Sequence, residues 1–346
     1  MFKVCISCST YNHSAYITDA MNGFCKQKTS FPFVCCIIDD NSTDGEQEVI
    51  RNYLNDNFDM SNIDARRRVT VDYEMFYVRH KINTNCFFAV YFLKYNHYQI
   101  LKNKKVYISE WTKDVKYYAA CEGDDYWTVS NKLEKQIGYM EKHPECVLTF
   151  SNAYFVRPDS SIRWLNTISV LLRIECQNIE FKFHKNMMAV LLKNGNILQT
   201  ASVCFRNHEK EWANFRKEIP FKMLMGDKPR WLYYCTLGEF KCFHSFMSAY
   251  RILPESASHT RDYNKAMKYR DNSEQVARYF NNRFEALPEK KLDKLYRISA
   301  CRKRAAFSKT EFLKLWKELL HDYPSQIFNI RLNIIAFFRI FFNRNI

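Results

Sequence analysis

Tyr117-Tyr118-Ala119-Ala120-Cys121-Glu122-Gly123-Asp124-Asp125-Tyr126-Trp127 is an apolar run of strand length that ends in three acids within four positions. A packed interior would not hold those charges side by side, so they belong where a strand reaches its carboxyl end. Hard oxygen ligands in such a place suit magnesium or manganese, which bind through one or two carboxylates plus substrate phosphates. A second apolar run, Phe33–Ile38, ends in Asp39-Asp40-Asn41-Ser42-Thr43-Asp44-Gly45, and a third acidic motif is Gly226-Asp227. Three of only seven glycines sit in these motifs. A lone acidic pair is usually a solvated turn. The strand ahead of this one and its two companions set it apart.

The chain around these motifs alternates between the two periodicities. Lys3–Ser7 reads as a strand, and Ser14–Lys26 as a helix with Ile17, Ala20 and Phe24 on one face. A helix over 45–55 follows the second acidic motif, with Thr43 or Asp44 as its cap. Val69–Tyr77 predicts a strand, Phe87–Tyr98 a helix, Tyr117–Cys121 a strand, Lys132–Lys142 a helix closed by His143-Pro144, and Val147–Tyr154 a strand. Strands alternating with helices predict an α/β fold, with a Rossmann-like, mostly parallel central sheet covered by helices. Ligands in such sheets bind beyond the carboxyl ends of the strands, where Asp39-Asp40 and Glu122–Asp125 both fall. Further on, Met187–Lys193 predicts a helix, Gln199–Phe205 a strand and Lys228–Thr236 a helix. From Thr260 the chain reads as helices broken near Pro288 and Pro324, a C-terminal helical extension. The expected division is a catalytic domain over 1–260 and a basic helical region over 261–346.

Composition narrows the class. With 346 residues, 47% hydrophobic and 16% aromatic, the chain can bury a full core. Thirteen scattered cysteines, several inside strand-like runs, suit reduced thiols in a cytoplasm. The C-x-x-C spacing of Cys5 and Cys8 has no second pair to complete a zinc site and reads as core packing. No secretory signal is expected ahead of the first strand, and no window reaches the roughly 18 apolar residues of a spanning helix. The formal charge is +15; from Ser256 to the end 19 Lys/Arg face 9 Asp/Glu, which places +10 in the last quarter. A surface of that sign can meet anionic lipid, anionic substrate or nucleic acid.

Taken together, the three acidic motifs make the chain resemble the family 2 glycosyltransferases of the GT-A fold, inverting enzymes that use nucleotide-activated sugars. The likeness is to bacterial cell-surface polysaccharide enzymes and covers about Met1 to Thr260. Cys8-Ser9-Thr10-Tyr11-Asn12-His13 resembles the first-strand motif, which implies nucleotide contacts from Thr10, Tyr11 and Asn12. The second motif implies base recognition by Asp40, and Glu122-Gly123-Asp124-Asp125 resembles the metal motif. In that motif Asp124 would face the ribose or a metal-bound water, Asp125 would ligate Mg2+ or Mn2+, and Glu122 would stand behind them. Met225-Gly226-Asp227-Lys228-Pro229 resembles the segment of the catalytic base, which falls on Asp227. The segment Ala249–His259 resembles a closing stretch, and His259 would join the metal there. The region Arg66–Trp111 departs from the short glycine-containing link of simpler members.

The resemblance implies transfer from a nucleotide-diphosphate sugar, a UDP-sugar by family habit, to a saccharide or lipid-linked saccharide in surface polysaccharide synthesis. Two rivals remain. A nucleotidyltransferase also uses strand-end aspartates and metal, but no glycine-rich phosphate loop is visible. A non-catalytic basic protein binding membrane or nucleic acid would explain the tail and leave the strand-end acids without purpose; nucleic acid is therefore not the expected partner. The apolar, arginine-interrupted stretch Ile327–Phe342 reads either as a helix packed on protein or as an in-plane helix on an anionic membrane surface. The second reading would place the protein peripherally on the inner face of the cell membrane.

Overall fold

The computed structural model describes residues 1–61, 65–100, 102–175, 184–195, 197–253, 260, 262–305, 307–329 and 333–334. Its centre is an 11-stranded sheet. The strands are β1 (Val4–Thr10), β2 (Phe33–Asp39), β3 (Phe58–Asp59), β4 (Arg66–Val69), β5 (Tyr73–His80), β6 (Cys86–Leu93), β7 (Tyr117–Ala120), β8 (Tyr126–Trp127), β9 (Cys146–Val156), β10 (Cys204–Arg206) and β11 (Glu239–Arg251). They lie in the order β3-β5-β6-β2-β1-β7-β10-β9-β11-β8, with β4 paired to β5. The middle strands β6, β2, β1 and β7 are parallel, as are β9 and β11, while β10 runs antiparallel between β7 and β9. The expected α/β architecture, with a mostly parallel sheet and C-terminal helices, is what the structure shows.

All seven residues of β2 are buried, as a parallel strand covered on both faces should be. One core joins Val4, Ile6 and Cys8 of β1 and Phe33, Cys35 and Ile37 of β2 to the helices Ile17–Cys25, Glu46–Asn57 and Lys132–Lys142. Those helices bury Ile17, Ala20, Met21 and Phe24, then Ile50 and Leu54, then Leu133, Ile137 and Met140, the spacings of one helical face. The chain divides into two compact units: Met1–Phe183, Asn196–Lys217 and Leu237–Ile252 form the first, which holds the whole sheet. The second comprises His184–Gly195, Glu218–Thr236 and Leu253–Ile346. It is helical, with Asp227–Tyr234, Tyr263–Phe284, Glu289–Ala305 and Lys309–Asp322 among its members. Asp262 caps the second of these by accepting from the Lys265 amide at 2.8 Å.

Four stretches differ from the sequence reading. Residues 87–98 were expected as a helix, but β6 occupies Cys86–Leu93, pairing with β2 from Phe33↔Cys86 to Asp39↔Phe92. Its run of apolar side chains is buried on both faces, and periodicity alone does not separate such a strand from a buried helix. The strand expected over 199–205 is a 3-10 turn, Thr200–Ser202, followed by the short β10. The long β11 gave no sequence signal, because register shifts along β9 break its alternation. The helix Trp164–Glu175 was also missed. The stretch 327–342 lies almost wholly outside the described residues.

Phe88, fully buried at the centre of β6, tests the corrected strand. Phe88→Ala should lower the unfolding free energy by about 3–5 kcal/mol in a urea melt. A loss under about 1 kcal/mol would contradict its placement.

Candidate active site

β1 assembles the site. Its last residue, Thr10, stands beside Asp39 in register, and the Asp40 amide donates to the Thr10 carbonyl at 3.0 Å. On the other side the ladder with β7 continues past the strand, with the Cys121 amide on Ser7 O at 3.2 Å and the Gly123 amide on Ser9 O at 3.1 Å. The acidic turn is thereby sewn to the end of β1. Gly123 is required there, since a Cβ would lie 2.0 Å from Thr10 Oγ1 and 2.6 Å from Thr10 Cβ.

The turn after β1 is clamped to the loop after β2. Asn12, left-handed at φ 57°, accepts from the Thr43 amide at 2.8 Å and gives its own amide to Ser42 Oγ at 2.9 Å. The Ser14 amide donates to Asp44 Oδ2 at 2.9 Å, and Asp44 Oδ1 accepts from the Glu46 amide at 3.1 Å. Gly45, not Thr43 or Asp44, is the cap residue of that helix, at φ 88°. Tyr11 is 37% exposed and so presents its ring to solvent.

The carboxylates differ in how fully they are satisfied. Glu46, 0% exposed, accepts from Thr10 Oγ1, from the His13 amide at 2.9 Å and from Ser42 Oγ at 2.8 Å; burial still raises its pKa. Asp40, 1% exposed, accepts from the His97 amide at 2.8 Å, the Tyr98 amide at 3.2 Å and Lys104 Nζ at 3.0 Å. Asp39 takes the Ser42 amide and Gln47 Nε2 on one oxygen, leaving Oδ2 buried with no hydrogen-bond partner, and burial raises its pKa. Asp125 Oδ1 accepts from the Arg251 amide at 2.8 Å, while its Oδ2 is likewise buried without a partner. Burial, with the charge of Asp124 next to it, pushes the Asp125 carboxyl well above the ordinary range.

Arg251, at the end of β11, holds this turn from behind. Its Nε donates to the Asp124 carbonyl at 2.8 Å, one terminal nitrogen to the Pro158 carbonyl at 2.8 Å and the other to Asp19 Oδ2 at 2.9 Å. The guanidinium lies 4.5 Å from the Tyr16 ring centroid. Sequence reasoning quoted Arg251 without a role and passed over Glu46 and Lys104. The signal available for Glu46 was its position one residue after Asp44-Gly45.

Thr10, Tyr11, Asn12, Asp40, Asp124 and Asp125 thus come together at one end of the sheet. Asp227 belongs to the second unit, as the first residue of its helix, with Oδ1 accepting from the Lys228 amide at 2.7 Å. Lys228 beside it is buried, donates to Ser273 Oγ at 2.7 Å and Tyr296 Oη at 2.8 Å, and has its pKa lowered to about 8 by burial. His259 lies outside the described residues.

Among the described residues no three His, Cys, Asp or Glu side chains converge closely enough to hold a metal ion alone. An ion that also takes donor phosphates needs fewer. The buried, unpartnered Asp125 Oδ2, in the field of Asp124, is a fitting first ligand.

Comparison with known proteins bears on the fold that carries this geometry. The model of the glycosyl transferase family 2 matches residues 5–70, the span of β1, β2 and their loops. Over that span the chain is similar to the glycosyl transferase family 2. The fold is the GT-A fold: the crystal structure of S. aureus TarS 1-349 in complex with UDP-GlcNAc superposes with a TM-score of 0.50 at 12% identity, over 96% of this chain and 84% of that one. Two uncharacterized proteins, Rv1520 of Mycobacterium tuberculosis and Mb1547 of Mycobacterium bovis, are each 26% identical over 251 residues, 70% of this chain. The aligned part covers 56% of the length of these relatives.

Gly123→Ala should destabilise the protein by about 1–3 kcal/mol, the range for overpacking, because Thr10 must shift. Thermal unfolding that leaves the melting temperature unchanged would show that the turn is looser than its contacts imply.

Proposed function

We propose that the protein is an inverting glycosyltransferase that moves a sugar from a nucleotide-diphosphate donor, a UDP-sugar, to a saccharide or lipid-linked saccharide of a surface polysaccharide. The observation that carries this reading is the buried, unpartnered oxygen of Asp125 beside Asp124 at the mouth of three strands. Tyr11 stacks on the base. Asp40 has three of about four acceptor positions filled and offers the last to the base imide; at 1% exposure, it is reached only as Tyr98 and Lys104 shift. Thr10 and Asn12 shape the turn beneath the nucleotide, and Asp124 faces the ribose.

Asp125 would hold Mg2+ or Mn2+ with the donor diphosphate, and His259 would complete the set. When bound, the ion offsets the charge that builds on the departing nucleoside diphosphate. Asp227 accepts the proton of the acceptor hydroxyl as that oxygen attacks the anomeric carbon opposite the leaving group. A single displacement of this kind inverts the anomeric centre.

Association with the cytoplasmic face of an anionic membrane fits a lipid-linked acceptor. No helix among the described residues is long and apolar enough to cross a membrane. The helix Trp164–Glu175 instead exposes Trp164, Leu165, Ile168 and Leu172 on one side, an apolar stripe that suits an interfacial position.

Asp125→Ala should abolish transfer and remove the manganese dependence of UDP binding while the fold persists, read by calorimetric titration with and without the metal. Undiminished activity would sink the assignment. Asp227→Asn should leave donor binding near normal and slow transfer about 10²-fold or more. A collapse of donor binding in that variant would make Asp227 part of the donor site.

A further inference from the structure

His13 follows the predicted nucleotide contacts by one residue and has no role in the scheme so far. Its surroundings fix its tautomer. The single hydroxyl proton of Thr10 goes to Glu46 Oε1, an acceptor that also takes the His13 amide and Ser42 Oγ, as an ionised carboxylate does. Thr10 Oγ1 is then the acceptor for the Nδ1–H of His13, 3.2 Å away. In the neutral form that binds a metal, the ring then carries its lone pair on Nε2. That nitrogen lies 3.9 Å from Asp124 Oδ2, so two acceptors face each other across a gap. Bonds of about 2.1 Å from one cation to a nitrogen and an oxygen span such a gap. A ring whose far N–H is tied through a hydroxyl to a buried carboxylate is also how metal-binding histidines are oriented. Gly123, with no Cβ to press on Thr10 and His13, lets this chain close against the acidic turn. Independently, the unpartnered buried oxygen of Asp125 in the same turn calls for positive charge.

We propose that His13 is a nitrogen ligand of the divalent cation, binding it through Nε2 together with Asp124 and oriented by the Thr10–Glu46 pair. This rests on the metal-dependent reading above and adds a residue to it. Manganese and magnesium both prefer oxygen ligands, and a nitrogen in the set tips the balance only modestly toward manganese, the softer of the two ions.

The test is electron spin-echo modulation on the full chain loaded with Mn2+ and UDP. The wild type should show directly coordinated nitrogen, His259→Ala should retain the coupling due to His13, and adding His13→Gln to His259→Ala should abolish it, while His13→Gln alone weakens the coupling and reduces Mn2+ affinity about tenfold or more. Bound Mn2+ without a nitrogen coupling overturns the inference and leaves the metal-dependent reading standing. A coupling that survives in His13→Gln and vanishes in His259→Ala also overturns it. If no Mn2+ binds at all, both fall. The wild type and His259→Ala decide the matter even if His13→Gln does not fold.

Discussion

Acids that must stay buried near one another set the terms for the sheet's functional end. Asp39, Glu46 and Asp125 each have their carboxyl raised by burial, and an ionised group taken from water costs several kcal/mol unless donors or a cation compensate. The compensation is graded. Glu46 has three donors, Asp39 has two on one oxygen, and Asp125 has one main-chain amide. The largest unmet demand for positive charge therefore lies at the turn after β7. A purely structural carboxylate would have been satisfied like Glu46; one left short in this way is suited to a charge brought by a ligand.

Arg251 shows how the chain supports that turn without neutralising it. Its planar fork is spent on the Asp124 and Pro158 carbonyls and on Asp19, and only its amide reaches Asp125. A lysine carries its three donors on one atom and could not reach acceptors spread this widely, as the three nitrogens of the guanidinium do. The guanidinium fixes the main chain of the acidic turn and leaves Asp125 Oδ2 without a protein partner. Position is thus supplied by hydrogen bonds to carbonyls, and the proposed cation would supply the charge.

What could be read from the sequence was what short-range physics governs. The apolar runs ending in Asp39-Asp40 and Glu122–Asp125 marked strand ends, and the helix over Lys132–Lys142 was legible from its period and from His143-Pro144. What was lost depends on pairing over long distances. β6 reads like a buried helix until β2 is seen beside it, and β11 has no clean alternation because it shifts register along β9. Arg251 was hidden for the same reason, since its meaning comes from residues more than ninety positions away. Glu46 and His13 were within reach of motif reasoning, but only geometry shows that one orients the other through Thr10.

The misread β6 bears on the surroundings of Asp40 as well. The chain leaving it carries His97, Tyr98 and Lys104 onto Asp40. The same segment is held from its other side: His97 Nε2 meets Tyr107 Oη at 2.9 Å, Tyr107 donates to Asp72 at 3.1 Å, and Lys102 pairs with Asp72 at 3.1 Å. Asp40, just after β2, and Asp72, just before β5, therefore both hold these residues. These residues lie in the region that departs from the short glycine-containing link of simpler family members. Because Asp40 is buried beneath them, the base contact proposed for this carboxylate would depend on Lys104 and Tyr98 as much as on Asp40 itself.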